Sequence, residues 1–503
     1  MVDSAKNSAT EEKKTDFEYK HPLDHLFYAR NVTIVGASPN PNFGAGFFLS
    51  AFRHSSYSNP VYLINPKYVG KLKDIRGYPI FASISDIPGE LDYVICGIKA
   101  KLVPDLIRDC VAKKVKYVCI FTSGFSELLT AESKAAEQEL VNIIKGSQTR
   151  LIGPNCLGAL CTKSGITYDP VYSRCEGNVA FASQSGGIAN NLCEIQQMHS
   201  LYYSKGISFG NQIDLNCLDL LEYYAQDPDT KIIGMYLEST GSADGNAFFS
   251  LMRKVTRKKP VVIWKGGQTE FGARAAASHT GAIAGSLKIW KNAVIQAGGT
   301  FVTKSHEFWD VLHLFSRLIP KERLPKGKNV GFIVAGGGAS VELTDTFSTS
   351  GFQIPELQPE IQDKLNEIYP SVNTSVKNPV DTGAMGMFID NIIKSIKWMD
   401  TDPNLDIIAF FMPLNWLSQL ERHGAVGYTT SVARSLWRMN KKLTKTFFII
   451  CPIFQMSEFN AKISLQFKEV LWKKFIPHFE NIIGAATALN HAIRYSEYLQ
   501  TQT

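Results

Sequence analysis

Residues 178–197 read NVAFASQSGGIANNLCEIQQ. A short strand-forming run leads into small hydrogen-bonding residues and two glycines, and these lead into a helical stretch. The unit recurs as NVTIVGASPNPNFGAGFFLSAF at 31–52 and as NVGFIVAGGGASVELTDTF at 329–347. Between the restarts lie further strand-like runs, PVYLIN, LDYVICGI, VKYVCIF, TKIIGMYLE and KPVVIWKGG, separated by helical stretches. Strands that alternate with helices predict parallel sheets covered on both faces. In such sheets ligands sit at the carboxyl ends of the strands, where these glycine turns fall.

The restarts also divide the chain. Its 503 residues accommodate three domains at roughly 150 residues each. The boundaries predicted are a polar tail over 1–20, expected to be disordered, and domains over 21–172, 173–325 and 326–503, with LPKGKN as a linker before the third restart. The fold class is α/β with three doubly wound domains.

Hydrophobic residues at 45% and charged residues at 20% are ordinary for a globular protein with several cores. No run of about 18 apolar residues suits a membrane span. The start, MVDSAKNSATEEKKTDFEYK, lacks the apolar region of a secretory signal. A cytoplasmic protein is expected, with no membrane partner. The nine cysteines form no C-x-x-C pair and no metal-ligand spacing with the histidines, so they read as small buried hydrophobes. No metal site is expected. The net charge of +7 is dispersed, apart from clusters such as Arg257–Lys259 and Lys441–Lys445. It suits small anionic ligands, and no nucleic-acid motif accompanies it.

The first restart begins like a dinucleotide fold, in which glycines let backbone N–H groups approach a pyrophosphate at a helix N-terminus. Its match to G-x-G-x-x-G is imperfect. A nicotinamide cofactor needs Asp or Glu about 20 residues further on. Here the next strand ends in Asn65-Pro66-Lys67. A lysine suits a phosphate-rich ligand, so coenzyme A fits better than NAD, although Lys67 also reads as a solvated turn residue. No G-x-x-x-x-G-K-[ST] loop occurs, so a nucleoside triphosphate would need another chain or a site of different pattern.

In the second domain, Ser183, Gln184, Ser185 and Gly186 could present hydroxyls and backbone N–H groups to an anion, aided by the helix dipole. The same residues also describe a helix merely capped by serine. IIGMYLESTG brings a strand to its end at Glu238, where a side chain meets the ligand crevice. ARAAASHTGAIAGS, 273–286, sets His279 among residues too small to bury it. A carboxylate bonded to one imidazole nitrogen fixes the tautomer and makes the other a better nucleophile. Glu238 facing His279 would do this. Without such a partner, His279 is an exposed loop histidine.

Several stretches occur together in order: LDHLFYARNVTIVGAS, INPK, FTSGFSE, RLIGPNCLG, NVAFASQSGG, GMYLES, SHTGAIAGS and, at 377–381, KNPVD. On these, from about residue 23 to the C-terminus, the chain resembles the α subunit of NDP-forming (ADP-forming) acyl-CoA synthetases, and more distantly that of succinyl-CoA synthetase. The resemblance implies a Rossmann-like CoA-binding domain followed by two flavodoxin-like, succinyl-CoA synthetase-like domains. It implies a reversible reaction in which acyl-CoA and phosphate give an acyl phosphate and CoA. The phosphoryl group then passes to a histidine and on to a nucleoside diphosphate. By motif position His279 would carry the phosphoryl group and Glu238 would orient it, with Ser183, Gln184, Ser185, Gly186 and Gly187 holding phosphate. Gly36, Ser38 and Lys67 would hold the nucleotide end of CoA. Ile98, Lys99, Ala100, Thr122, Ser123 and Gly124 would hold its pantetheine, and Asn155 and Cys156 would lie near the thiol. The family's nucleotide half is an ATP-grasp β part, fused or separate. No such pattern occurs here, so the resemblance implies a separate β subunit, in an α2β2 assembly, that brings ADP or ATP and Mg²⁺.

The chain departs from the family in one turn, where Ile98-Lys99-Ala100 replaces Val-Pro-Ala. Proline would fix φ there, whereas Lys99 adds a mobile charge. GFIVAGGGAS at 331–340 has no ligand assigned to it. FFMPLNWLSQ at 410–419 and the aromatic-rich tail read as core or subunit interface rather than as a substrate pocket. The alternative function is a CoA-binding regulatory or scaffold subunit without the relay chemistry. A nicotinamide oxidoreductase is disfavoured by Asn65 and Lys67.

Overall fold

The computed structural model describes residues 17–40, 44–272, 274 and 286–502. Three sheets follow one another along the chain. The first holds β1 (Val32–Val35), β2 (Val61–Ile64), β3 (Asp74–Ile75), β4 (Tyr78–Phe81), β5 (Tyr93–Cys96), β6 (Tyr117–Ile120) and β7 (Arg150–Ile152) in the order β3-β4-β2-β1-β5-β6-β7. All neighbours are parallel except β3 and β4. Every residue of β1, β5 and β6 is buried, as expected of strands covered on both faces. The order reverses between β1 and β5, which opens a crevice at their carboxyl ends.

The second sheet holds β8 (Gly158–Cys161), β9 (Val179–Ser183), β10 (Tyr203–Ser208), β11 (Ile232–Leu237), β12 (Val261–Lys265) and β13 (Thr300–Val302), ordered β13-β12-β11-β9-β10-β8. From β9 onward this is the flavodoxin-like order 2-1-3-4-5. The third holds β14 (Val330–Val334), β15 (Val380–Asp381), β16 (Ile407–Phe411), β17 (Thr446–Ile450) and β18 (His478–Phe479) in the same order, all parallel. Among the described residues no helix is long and apolar enough to cross a membrane.

The units exchange elements across the boundaries read from the sequence. β8 precedes the boundary set at 172, yet it pairs antiparallel with β10, Ser208 opposite Gly158. It covers a sheet edge that would otherwise expose unpaired backbone groups. The final helix, Ile482–Gln500, leaves the third sheet and packs on the helix Ser305–Leu318 of the second unit. There the Tyr495 hydroxyl donates to the Thr256 carbonyl at 2.8 Å, and His491 Nε2 lies 2.8 Å from Glu307 Oε1. Phe17 and Tyr19, inside the tail expected over 1–20, are packed. Phe17 stacks on Tyr28 with ring centroids 3.8 Å apart, and the Tyr19 hydroxyl donates to the Tyr28 carbonyl at 3.0 Å. The rings of Phe17 and Tyr19 have apolar surface to bury.

One apolar core runs unbroken from Leu26 and Phe27 through the second sheet to Phe448 and Ile493, so the units are joined by packing. The seam between second and third units also holds buried polar groups. His478 donates its backbone N–H to His313 Nε2 at 3.2 Å, and Arg317 donates to the Ser200 carbonyl. Burial holds both imidazoles well below their usual range, with neighbouring cations adding to the effect. Burial, helped by the Glu480 charge, pushes the Asp310 carboxyl up to about 7.

Candidate functional site

At the carboxyl end of β9 each residue of SQSG has a separate task. Ser183 is fully buried, and its hydroxyl donates to the Ser185 carbonyl at 2.7 Å. The Gln184 side-chain oxygen accepts the backbone N–H groups of Glu238 at 2.5 Å and Ser239 at 3.0 Å, while its own N–H donates to the Tyr236 carbonyl at 3.1 Å. One glutamine therefore clamps the ends of β9 and β11 together. Ser185 is the N-cap of the helix Gly186–Glu194, its Oγ accepting from the Ile188 N–H at 3.3 Å. The N–H groups of Gly186 and Gly187 have no acceptor among the described residues. In the first turn of a helix such groups project from the N-terminus, where the helix dipole favours an anion. Both glycines line a cavity of about 710 Å³.

Glu238 stands one residue beyond β11 on the cavity wall and is 6% exposed. Its Oε1 accepts from the Tyr236 hydroxyl at 3.3 Å, and its buried Oε2 has no partner among the described residues. Burial and the Glu238 charge push the Tyr236 phenol up, so it stays a donor. Lys265, paired in register with Leu237, is fully buried and donates to the Gly266 carbonyl at 2.5 Å. Burial draws its ammonium down, and the Glu238 carboxylate opposes that. A Cβ on Gly266 would come within 2.5 Å of the Tyr236 hydroxyl and 3.0 Å of Glu238 Cγ. Glycine is what lets the chain pass this carboxylate on its way to the SHTGAIAGS segment. His279 lies outside the described residues; Gly267 and Gly272, which precede it, line the cavity.

The third wall is the GPNCL turn. Asn155, Cys156 and Leu157 line the cavity, and the Leu157 N–H donates to Ser208 Oγ at 3.1 Å, docking the turn on β10. Burial and the neighbouring Cys119 drive the Cys156 thiol well above its usual range, so it is a neutral wall rather than a thiolate.

Apart from Asn155 and Cys156, the residues expected at CoA form a separate set at the carboxyl edge of the first sheet. Gly36 has φ +88°, and a Cβ there would stand 2.6 Å from the Gly97 carbonyl, so β1 and β5 close on each other only through a glycine. The Asn65 amide donates to the Ala37 carbonyl at 2.7 Å, and its oxygen accepts from the Lys67 N–H at 3.2 Å; Lys67 itself is exposed, and Ser38 is half-buried. The Thr122 hydroxyl donates to the Ile98 carbonyl at 2.6 Å, tying the segments 98–100 and 122–124 together. Ser123 and Gly124 follow it, and Glu127 accepts the N–H groups of Gly124 and Phe125 at 2.6 and 3.1 Å. The other oxygen of Glu127 accepts from the Asn211 amide at 2.8 Å, linking this loop to the second unit. Lys99, with φ −61° and ψ 139°, follows the backbone path that the family's proline would impose, and Ala100 begins the short turn after it.

Of the residues picked from sequence, Gln184, Ser185, Gly186, Gly187, Glu238, Asn155 and Cys156 share the one cavity. Ser183 does not reach it. The reading missed Phe121, Asn190 and Tyr236. Tyr236 was within reach, because it stands two residues before Glu238 and strand side chains alternate with period 2. An anion held at the helix start would face a carboxylate with one unengaged oxygen, an arrangement suited to group transfer through an imidazole between them.

Residues 30–162 match the CoA binding domain family, and residues 176–315 match the succinyl-CoA ligase like flavodoxin domain. The chain is 34% identical over 386 residues to the acetate–CoA ligase [ADP-forming] II subunit alpha of Pyrococcus furiosus, covering 77% of this chain and 81% of that one. To the acetate–CoA ligase [ADP-forming] II of Archaeoglobus fulgidus it is 32% identical, over 96% of this chain and 68% of that protein. It is 33% identical to the same organism's acetate–CoA ligase [ADP-forming] I, over 77% of this chain and 54% of that protein. Among solved structures, the dinucleotide forming acetyl-coenzyme A synthetase 1 of Ca. Korarchaeum cryptofilum, in complex with phosphate and ADP, superposes with a TM-score of 0.78. Its sequence is 26% identical, and the match covers 95% of this chain and 98% of that one.

Proposed function

Since the chain belongs to the ADP-forming acetate–CoA ligase family of acyl-CoA synthetases, we propose that its cavity carries the phosphate half of that reaction. In this reading CoA lies in the first crevice, along Gly36, Ser38, Lys67, Ile98–Ala100 and Thr122–Gly124, with its thiol toward Asn155 and Cys156. An oxygen of inorganic phosphate attacks the thioester carbonyl. The C–S bond breaks, CoA leaves as the thiol, and an acyl phosphate remains at Gly186 and Gly187. His279 then attacks phosphorus through one ring nitrogen, and the acid leaves as its carboxylate. Glu238 takes the hydrogen bond of the other ring nitrogen and stabilises the positive charge that develops there. Attack by the terminal oxygen of ADP on phosphohistidine breaks the N–P bond and gives ATP.

The observation that carries this reading is the buried, unengaged Oε2 of Glu238 in the same cavity as the two uncapped N–H groups. The last step is assigned to a partner, an ATP-grasp β subunit in an α2β2 assembly that brings ADP, ATP and Mg²⁺. Relatives named as α subunits support this division. Among the described residues no group of three or more His, Cys, Asp or Glu is arranged to hold a metal. The chain is assigned to the cytoplasm, where these substrates occur.

The test is intact mass after incubation with phosphate and a panel of acyl-CoAs, with and without the co-expressed partner. An acid-labile, base-stable phosphoryl adduct is expected, and none in His279→Ala. If CoA binds and no acyl-CoA gives an adduct even with the partner, the relay reading is lost and a CoA-binding scaffold replaces it.

A further inference from the structure

The segment 209–216, which follows β10, is bonded to the first unit and to the second. Its Asn211 and Ile213 N–H groups donate to the Pro154 and Gly153 carbonyls at 3.0 and 3.2 Å, and its Leu215 N–H donates to the Leu151 carbonyl at 3.1 Å. At its start the Phe209 N–H donates to the Ser183 carbonyl at the end of β9, at 3.0 Å. The turn between is tight. Gly210 has φ +54°, and a Cβ there would run into the Pro154 carbonyl. Gln212 has φ +59° without being glycine, and it is fully buried. A residue of this kind stays in the left-handed region only where its surroundings hold it, and such positions gather at functional sites.

Two adjacent side chains of this turn reach different crevices. The Asn211 amide donates to Glu127 Oε2 at 2.8 Å, to Glu137 Oε2 at 2.9 Å and to Ser126 Oγ at 3.3 Å. Glu127 is the carboxylate whose other oxygen holds the Gly124 and Phe125 N–H groups. Carboxylates only accept, so two of them fix which way the amide points. The Asn211 side-chain oxygen is left buried with no partner among the described residues. The Gln212 amide donates to the Ser239 carbonyl at 3.2 Å, and its oxygen accepts the Cys217 N–H at 3.0 Å, at the start of the helix Cys217–Gln226. Ser239 follows Glu238, and its own N–H is held by Gln184. Two buried glutamines thus grip Ser239, one by its N–H and one by its carbonyl. A connected path runs from Gly124 through Glu127, Asn211 and Gln212 to Ser239 and Glu238.

Resting on the reading that CoA occupies the first crevice and Glu238 serves the relay, we propose that Asn211 and Gln212 are positioning residues. Asn211 keeps the CoA crevice in register with the phosphate cavity and transmits CoA binding to it; Gln212 holds Glu238 in place. Attack of phosphate on the thioester needs both crevices aligned, because the acyl group arrives on CoA while phosphate sits at Gly186 and Gly187. Transfer from acyl phosphate to His279 needs the second alone. Displacing a reacting group by about 1 Å can cost about 10²-fold.

Phosphoenzyme formation by the full chain with its co-expressed partner is followed by intact mass from two donors. One is the most effective acyl-CoA with saturating phosphate; the other is the matching acyl phosphate without CoA. Asn211→Ala should slow the adduct from acyl-CoA at least tenfold at saturation. Its rate from acyl phosphate, and its CoA affinity by calorimetry, should stay within twofold of wild type. Gln212→Asn, which tolerates positive φ but is too short to join Cys217 to Ser239, should slow both donors. Equal loss from both donors in Asn211→Ala, or loss from neither, overturns the proposal. Hydrogen exchange separates failure of the coupling from failure of the relay. CoA should slow exchange over 122–127, 209–216 and 236–241 in wild type, and over 122–127 alone in Asn211→Ala. That pattern with no adduct from any donor keeps the coupling and removes the relay. Adducts from both donors, with exchange over 236–241 untouched by CoA in wild type, keep the relay and remove the coupling.

Discussion

The second and third units share a strand order and a glycine-led helix after their first strand, and they differ in the residues just past the strand ends. After β9 comes Gln184; after β14, its counterpart, comes Ala335. After β11 comes Glu238; after β16 comes Met412. In the second unit the glutamine clamps the backbone that carries the glutamate, and Ser185 caps the helix start. In the third there is neither clamp nor carboxylate at these positions, and the helix from Gly337 has no side-chain cap. The fold supplies a crevice in both. Two side chains at topologically equivalent positions make one crevice polar and the other apolar, so chemistry here is set by strand-end residues and not by architecture.

The pair Glu238→Gln and Met412→Glu tests this most severely. Glu238→Gln keeps the shape and removes the charge proposed to orient His279, so on that proposal phosphoenzyme formation should fall about 10²–10⁴-fold, with CoA affinity unchanged by calorimetry. If the rate holds, the contrast between the crevices is not catalytic. Met412→Glu puts a carboxylate at the matching site, 4% exposed and with no glutamine beside it. It should cost about 2–5 kcal/mol in denaturant unfolding and create no second relay.

The seam that joins the two units gives the next effect. Asp310 has a folded pKa of about 7, above its unfolded value near 3.9. Its neutral form is the one the fold accepts. That contribution is fully present below the unfolded value and is lost as pH rises through about 7. Asp310→Asn should therefore flatten the fall in Tm between pH 4 and 7 and raise stability at pH 8, by up to about 4 kcal/mol. A pH profile identical to wild type would show that this carboxyl is not buried in solution.

The smallest effect is expected in the first unit, where the chain departs from its family without changing its path. Lys99 already has the φ of a proline. Lys99→Pro should leave CoA binding intact and stabilise the fold by no more than about 1 kcal/mol, through the unfolded chain. A clear loss of CoA affinity would instead give the lysine charge a role at the ligand.

Local sequence determined a good deal of this protein. The repeated strand–glycine–helix unit determined three parallel sheets, because alternation, capping and the need for close backbone approach act within a few residues of one another. Gly36, the Ser185 cap and the strand-end position of Glu238 were legible for that reason. Tertiary structure alone decided which strand ends share a cavity. It decided that Gln184 clamps the ends of two strands, since the partners of its side-chain oxygen lie 54 and 55 positions away. It decided that β8 crosses to the second sheet and the last helix returns to it, and that Phe410, Met412 and Leu417 of the apolar run pack in the core of the third unit while also lining a cavity. Each of these depends on distances between segments far apart in the chain. Those distances are set by the packing of whole sheets and helices, which no local pattern encodes.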